Sequence, residues 1–148
     1  MAELVDGLPD DHPMRGEVEQ RFVSLVDACL AVQDADGVFH QELTMHDSYV
    51  ETSGTGLILY AVGIGLQRGL LGERHRAALA AGLQGYLSYV ALDGSVHHTC
   101  VGCLCPDGGL LPSYLARAHK LNDTHAFGPV VLAFGQAAAI GLGDVAIR

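Results

Sequence analysis

The chain has 148 residues and a mass of 15.6 kDa; 49% of it is hydrophobic, 17% is charged, and its mean hydropathy is +0.27. A composition this apolar excludes intrinsic disorder, and the length suits one domain with a real core. The formal net charge of −9, from 8 basic and 17 acidic residues, excludes a sequence-independent nucleic-acid binder, which needs a basic face for phosphates.

The acidic start, Met1 to Met14, holds two prolines and lacks the pattern of a signal peptide. The most apolar run, Leu57 to Leu66, is too short to cross a bilayer. A soluble, cytoplasmic protein with no membrane contact is expected. Four cysteines, three of them within residues 100–105, do not make a secreted disulfide framework, so reduced thiols are expected.

Leu8 to Pro13 reads as a loop, and Asp11-His12-Pro13 opens a helical pattern. Val18, Phe22, Leu25, Val26, Cys29 and Leu30 fall on one stripe, with Glu17, Glu19, Gln20, Arg21 and Asp27 mostly off it, so this helix is amphipathic. Asp34-Ala35-Asp36-Gly37 ends it with turn chemistry, and Val38 to Thr44 is short and extended. A second helix spans Gly54 to Arg68, with Thr52 or Ser53 as N-cap. It is apolar nearly all round, which predicts burial on all sides. Its glycines Gly63, Gly65 and Gly69 cost helix propensity, so close packing must compensate.

After a break at Gly69 to Gly72, a third helix runs from Glu73 to Val90. Arg74, Arg76, Gln84 and Ser88 are on its wet side; Leu79, Leu83, Tyr86 and Leu87 are on its dry side. A long loop rich in Gly, His and Cys covers Asp93 to Thr124, and a fourth, apolar helix covers Phe127 to Ile140. Amphipathic and all-apolar helices thus alternate, as the outer and inner helices of a toroid of helical hairpins would. The loops at 35–51 and 93–125 both lead into inner helices, so they are expected at one end, where function is usually carried.

Several runs resemble glycoside hydrolase families 88 and 105, the unsaturated glucuronyl and rhamnogalacturonyl hydrolases. Leu8 to Pro13 resembles the linker before a late helix of that fold. Gln33 to Gln41 is similar to its Q-x-x-D-G-x-(aromatic)-x-Q turn, and Asp47 to Gly56 to its Y-x-E-(S/T)-S-x-(S/T) helix start. Ala61 to Leu71 resembles YALAxGxxxGLL. Asn122 to Pro129, followed by Leu132-Ala133, resembles ND-x-(H/K)-G-x-G-(P/A)-x-LLA.

The resemblance implies an all-α fold in which helical hairpins form about half of an (α/α)6 barrel, here one domain over residues 1–148. It also implies that the match covers the C-terminal half of such a protein. The family's acid/base aspartate, its aspartate partner and the H-x-W-D and W-G-R segments belong to the N-terminal half, and this sequence contains no Trp. The implied substrate is an unsaturated uronic-acid oligosaccharide, the chain is expected to be catalytically incomplete by itself, and no cofactor is implied.

Candidate site residues follow from charge and position. Asp47 and Glu51 flank the start of an inner helix and could serve as an acid/base pair; the alternative is that Glu51 caps the helix amides. Asp123 and His125 precede the last helix as a second acid/base candidate, His125 as donor or proton shuttle. Asn122 joins them as a ligand contact, or the three form an Asx-type turn. His40 and Gln41 would line the mouth or lock two loops together, and Arg117 and Lys120 are the cations placed to meet a uronate carboxylate. A rival reading assigns zinc to His97 or His98 with Cys100, Cys103 and Cys105; another keeps the scaffold as a non-enzymatic carbohydrate-binding or assembly module. Half a toroid would leave the inner helices with uncovered apolar flanks, so a homodimer or a partner chain is expected to cover them.

Overall fold

The helical periodicities become a bundle in the computed structural model of the chain, which describes residues 1–102, 109–142 and 144. Its helices are α1 (Ala2–Gly7), α2 (Arg15–Leu30), α3 (Thr52–Gln67), α4 (Glu73–Leu87), α5 (Leu111–Leu115) and α6 (Phe127–Ala139). Two short strands, β1 (Thr99–Cys100) and β2 (His119–Lys120), pair antiparallel with Thr99 opposite Lys120.

The boundaries differ from the sequence expectation in instructive ways. The acidic start carries a helix, α1, held on α3 by Tyr60, whose hydroxyl donates to Glu3 at 2.6 Å, and by Arg68, which binds Asp6. The amphipathic helix begins at Arg15 rather than at Asp11-His12-Pro13, because a proline disfavours helical backbone in the residue before it. The Arg15 side chain reaches back to the Leu8 carbonyl and forward to Glu19. α4 stops at Leu87, short of Val90, and Val90 instead bridges to Val96. Within the long loop lie β1, β2 and α5, the last opened by Pro112, whose missing N–H costs nothing in a first turn.

Tertiary packing explains the glycines. α3 and α6 lie side by side and parallel: Gly56 meets Pro129, Gly63 meets Gln136, and the Gln136 amide donates to Gln67 Oε1 at 2.7 Å. A Cβ on Gly56 would fall 2.6 Å from Pro129 Cβ and 2.8 Å from its backbone carbonyl. The propensity these glycines cost is offset by backbones that approach where no side chain fits. On the other side α3 packs against α4, and Leu59, Val62, Leu79, Leu83 and Tyr86 are fully buried. The Tyr86 ring stacks on Phe134 of α6 at 5.8 Å. α2 closes the core with Phe22 and Val26, and its Asp27 accepts from His75 at 2.8 Å and Arg74 at 2.7 Å. The His75 hydrogen bond, with Arg74 beside it, holds the Asp27 carboxyl below the usual carboxylate range.

An apolar helix taken alone predicts burial on all sides, whereas an inner helix of half a toroid keeps an uncovered flank, and the structure has the second arrangement. Leu57 of α3 is 50% exposed, and Val131 of α6 is 70% exposed. Phe127 and Leu132 are exposed as well. Leu57, Leu132, Leu25, Ile58 and Tyr60 help line an apolar groove of about 450 Å³. These are the uncovered flanks that a partial toroid must have. Among the described residues, no helix is long and apolar enough to cross a membrane.

Candidate functional site at the loop end

Because α3 and α6 are parallel, their N-termini open at the same end, and the connecting loops gather there. Glu51, rather than Thr52 or Ser53, is the N-cap of α3. Its carboxylate accepts from the amides of Ser53 at 3.1 Å and Gly54 at 2.6 Å, which would otherwise be orphaned donors. The same carboxylate takes the Cys100 amide at 3.1 Å and so ties β1 to the helix start. Thr52 adds to this tie: its hydroxyl reaches the His97 carbonyl and the Thr99 hydroxyl, each at 2.9 Å.

At the start of α6, Asp123 Oδ1 lies 2.6 Å from His125 Nδ1, and Lys120 Nζ approaches Asp123 Oδ2 at 4.0 Å. Burial pushes the Asp123 carboxyl up. The His125 amide and imidazole, Thr124 and Lys120 outweigh it and hold the carboxyl below the usual range. The other imidazole nitrogen, His125 Nε2, lies 3.4 Å from Cys100 Sγ. Glu51, Cys100, His125, Asp123 and Lys120 thus form a continuous chain of contacts across the N-termini of both inner helices.

The remaining candidates occupy different places. His40 is held between Asp34 Oδ2 at 3.1 Å and the Ser48 carbonyl at 2.5 Å, so it locks the Asp34–Gly37 turn to the 42–48 turns. Asp47 is exposed, apart from Glu51's cap. Asn122, at φ +53°, accepts the Val96 amide at 2.8 Å and is spent on the hairpin around residue 96. Gln41 is 8% exposed; its amide donates to the Tyr114 carbonyl, and the Tyr114 hydroxyl donates back to the Gln41 carbonyl, both at 2.8 Å. His97 is exposed, while Cys103 and Cys105 lie outside the described residues. Among the described residues, no three His, Cys, Asp or Glu side chains are grouped to hold a metal ion.

Sequence reasoning missed the aromatic half of this end. Tyr49, Tyr89, His98 and His119 form one cluster, with His98 and His119 ring centres 4.2 Å apart. Burial first, then the neighbouring His119 and His97, holds the His98 imidazole below its ordinary pKa. Burial also pushes the Tyr49 hydroxyl up, helped by Cys100, Glu51 and Tyr114 and partly offset by Arg117, all of which act on it here. Among the described residues, five buried side-chain atoms have no hydrogen-bond partner: Tyr86 Oη on α4, and Gln41 Oε1, Tyr49 Oη, His98 Nδ1 and Arg117 Nε in these loops. The available signal was Tyr49 inside the helix-start motif; nothing local announced that His98 and His119 would meet.

A helical toroid segment whose inner helices open on a polar loop end is the architecture of the glycosidase type expected from the motifs. The family model for Glycosyl Hydrolase Family 88 matches residues 1–139, and the chain belongs to that family. A glycoside hydrolase of family 105 from C. acetobutylicum superposes with a TM-score of 0.84 at 24% identity, over 93% of this chain and 42% of that one. A family 88 glycosyl hydrolase from Bacteroides vulgatus gives 0.77 at 20%, over 93% and 39%. A possible family 105 member from Salmonella enterica gives 0.81 at 19%, over 94% and 36%. At these identities the likeness is one of fold: the chain is part of an (α/α)6 toroid, and it spans less than half the length of each of these structures.

Proposed function

We propose that this chain supplies the carbohydrate-facing loop end of an unsaturated uronyl hydrolase, and that by itself it binds the sugar without turning it over. The reaction protonates and then hydrates the C4=C5 double bond of the uronate, and the resulting hemiketal opens. It needs a carboxyl group free to act as acid and then base, and a cation or donors facing the substrate carboxylate. The observation that carries the reading is the set of unsatisfied buried atoms on Gln41, Tyr49, His98 and Arg117 beside the paired helix N-termini. Polar atoms buried without partners cost free energy, and hydroxyl and carboxylate groups of a saccharide would satisfy them. The incomplete half of the reading comes from the carboxylates. Glu51 is committed to three amides and Asp123 to His125, so neither is released for proton transfer.

The test offers unsaturated glucuronyl and galacturonyl disaccharides to the folded chain. The double-bond absorbance is expected to persist, while calorimetry registers binding that Arg117→Ala weakens by about tenfold, the scale of one lost charge-assisted hydrogen bond. Consumption of substrate would overturn the incomplete-site half of the reading. Absence of any saccharide binding would overturn the carbohydrate half.

The exposed apolar edge of α3 and α6 supports a second copy of this chain as its cover. Large apolar surfaces are rare on soluble monomers, and two-fold pairing is the commonest closed assembly. Light scattering at micromolar concentration is expected to report a dimer, and Val131→Lys to dissociate it; a wild-type monomer rules the pairing out.

A further inference from the structure

The saccharide reading does not use the contact between Cys100 and His125, whose geometry is that of a nucleophile beside its base. His125 presents Nδ1 to Asp123 at 2.6 Å and Nε2 to Cys100 Sγ at 3.4 Å. An ionised Asp123 fixes the tautomer, because it accepts from Nδ1–H and leaves the Nε2 lone pair facing the thiol. Nucleophile, base and orienting carboxylate thus stand in sequence, brought together from β1 and the start of α6. The His125 side chain is 40% exposed and Cys100 is half-buried, so the pair stands at the edge of the core.

The surroundings narrow the chemistry. Acyl transfer needs amide donors aimed at a developing oxyanion. Here the Cys100 amide is held by Glu51 and the Val101 amide by the Ala118 carbonyl, so those donors are taken. Glu51 would also repel an oxyanion at that place. Substitution at sulfur needs no oxyanion hole. Among the described residues, the charged and titratable groups near Cys100 are Glu51 at the start of α3, which takes the Cys100 amide, Tyr49, on which Cys100, Glu51, Tyr114 and Arg117 all act, and His119 and Lys120 of β2, the first opposite Cys100. Glu51 opposes a thiolate; the protonated His125, Arg117 and Lys120 favour it.

We propose that Cys100, with His125 as base and Asp123 as its positioning carboxylate, is a site of thiol–disulfide exchange that takes small organic disulfides. His125 accepts the thiol proton, and the Cys100 sulfur attacks one sulfur of the disulfide. The new Cys100 S–S bond forms as the old S–S bond breaks, and the leaving thiolate takes the proton back from His125. Cys100 is oxidised and one small thiol is released, so no further oxidant is needed.

The experiment treats the full chain with cystamine across a pH series and maps the adducts by mass spectrometry. Cys29 is the internal reference: it sits half-buried on α2, and burial pushes its thiol up. Cys100 is expected to react at least about tenfold faster than Cys29 at pH 7, with a rate midpoint well below the roughly 8.5 of an ordinary thiol. His125→Asn, checked for folding by circular dichroism, should slow Cys100 at pH 7 by about tenfold and return its midpoint to the ordinary value. Asp123→Asn should shift the midpoint part of the way. An ordinary wild-type midpoint overturns the proposal without any variant. So does a profile unmoved in folded His125→Asn, or an adduct confined to Cys103 or Cys105. Cystamine carries no sugar, so the outcome is independent of the saccharide reading.

Discussion

Gly56→Val is expected to cost about 3 kcal/mol of stability, read as a lower urea midpoint by circular dichroism. At this position the backbones of the two inner helices approach with no side chain of α3 between them. An added Cβ would lie within 2.8 Å of Pro129 backbone atoms, which belong to a helix and cannot rotate aside as a flexible side chain would. Gly135→Ala on α6 is the control: nothing lies within 4 Å of its would-be Cβ. There the helix-propensity gain, up to about 1 kcal/mol, acts unopposed and stability rises. At Gly56 the same gain exists for alanine, but steric overlap of 1–3 kcal/mol in order of magnitude exceeds it. An unchanged midpoint in Gly56→Val would mean that α3 and α6 do not pack as described.

Glu51→Ala is expected to cost about 2–3 kcal/mol, because it removes the cap of α3 and strands three amides at once. The effect is local as well as global. Amide exchange at Ser53, Gly54 and Cys100 should accelerate together, since one carboxylate serves all three. Glu51→Gln keeps one acceptor oxygen but loses the charge that favours a helix N-terminus, so it should fall between wild type and alanine. If Glu51 were only a ligand contact, both variants would keep wild-type stability and differ only in saccharide binding. Retained stability with unchanged exchange therefore removes the structural role.

Much of the fold was legible because its signals are periodic or local. The stripe of Phe22 and Val26, the dry face of Leu79, Leu83 and Tyr86, and the apolar character of α3 and α6 all follow from spacing along one helix. The cost of Gly63 and Gly65 was legible too, and it pointed to close helix packing before any partner was known. Short elements escaped. β1 and β2 have two residues each, too few for an alternating pattern, and α1 hides in an acidic stretch whose polar residues reach α3 only after folding.

The candidate site divides along the same line. The sequence by itself determined an all-α chain of the glycoside hydrolase 88 and 105 type, with polar loops preceding two apolar helices, because residue spacing and motif order survive in one dimension. The tertiary structure decided which polar residues are spent and which face outward. It turned Glu51 into a cap, His40 into a lock between turns and Asn122 into a hairpin brace. It also joined Cys100 to His125 and His98 to His119, pairs whose members are 25 and 21 residues apart. Such contacts depend on two parallel helices placing their N-termini at one end, a relation set by the packing of Gly56 on Pro129 and carried by no local pattern.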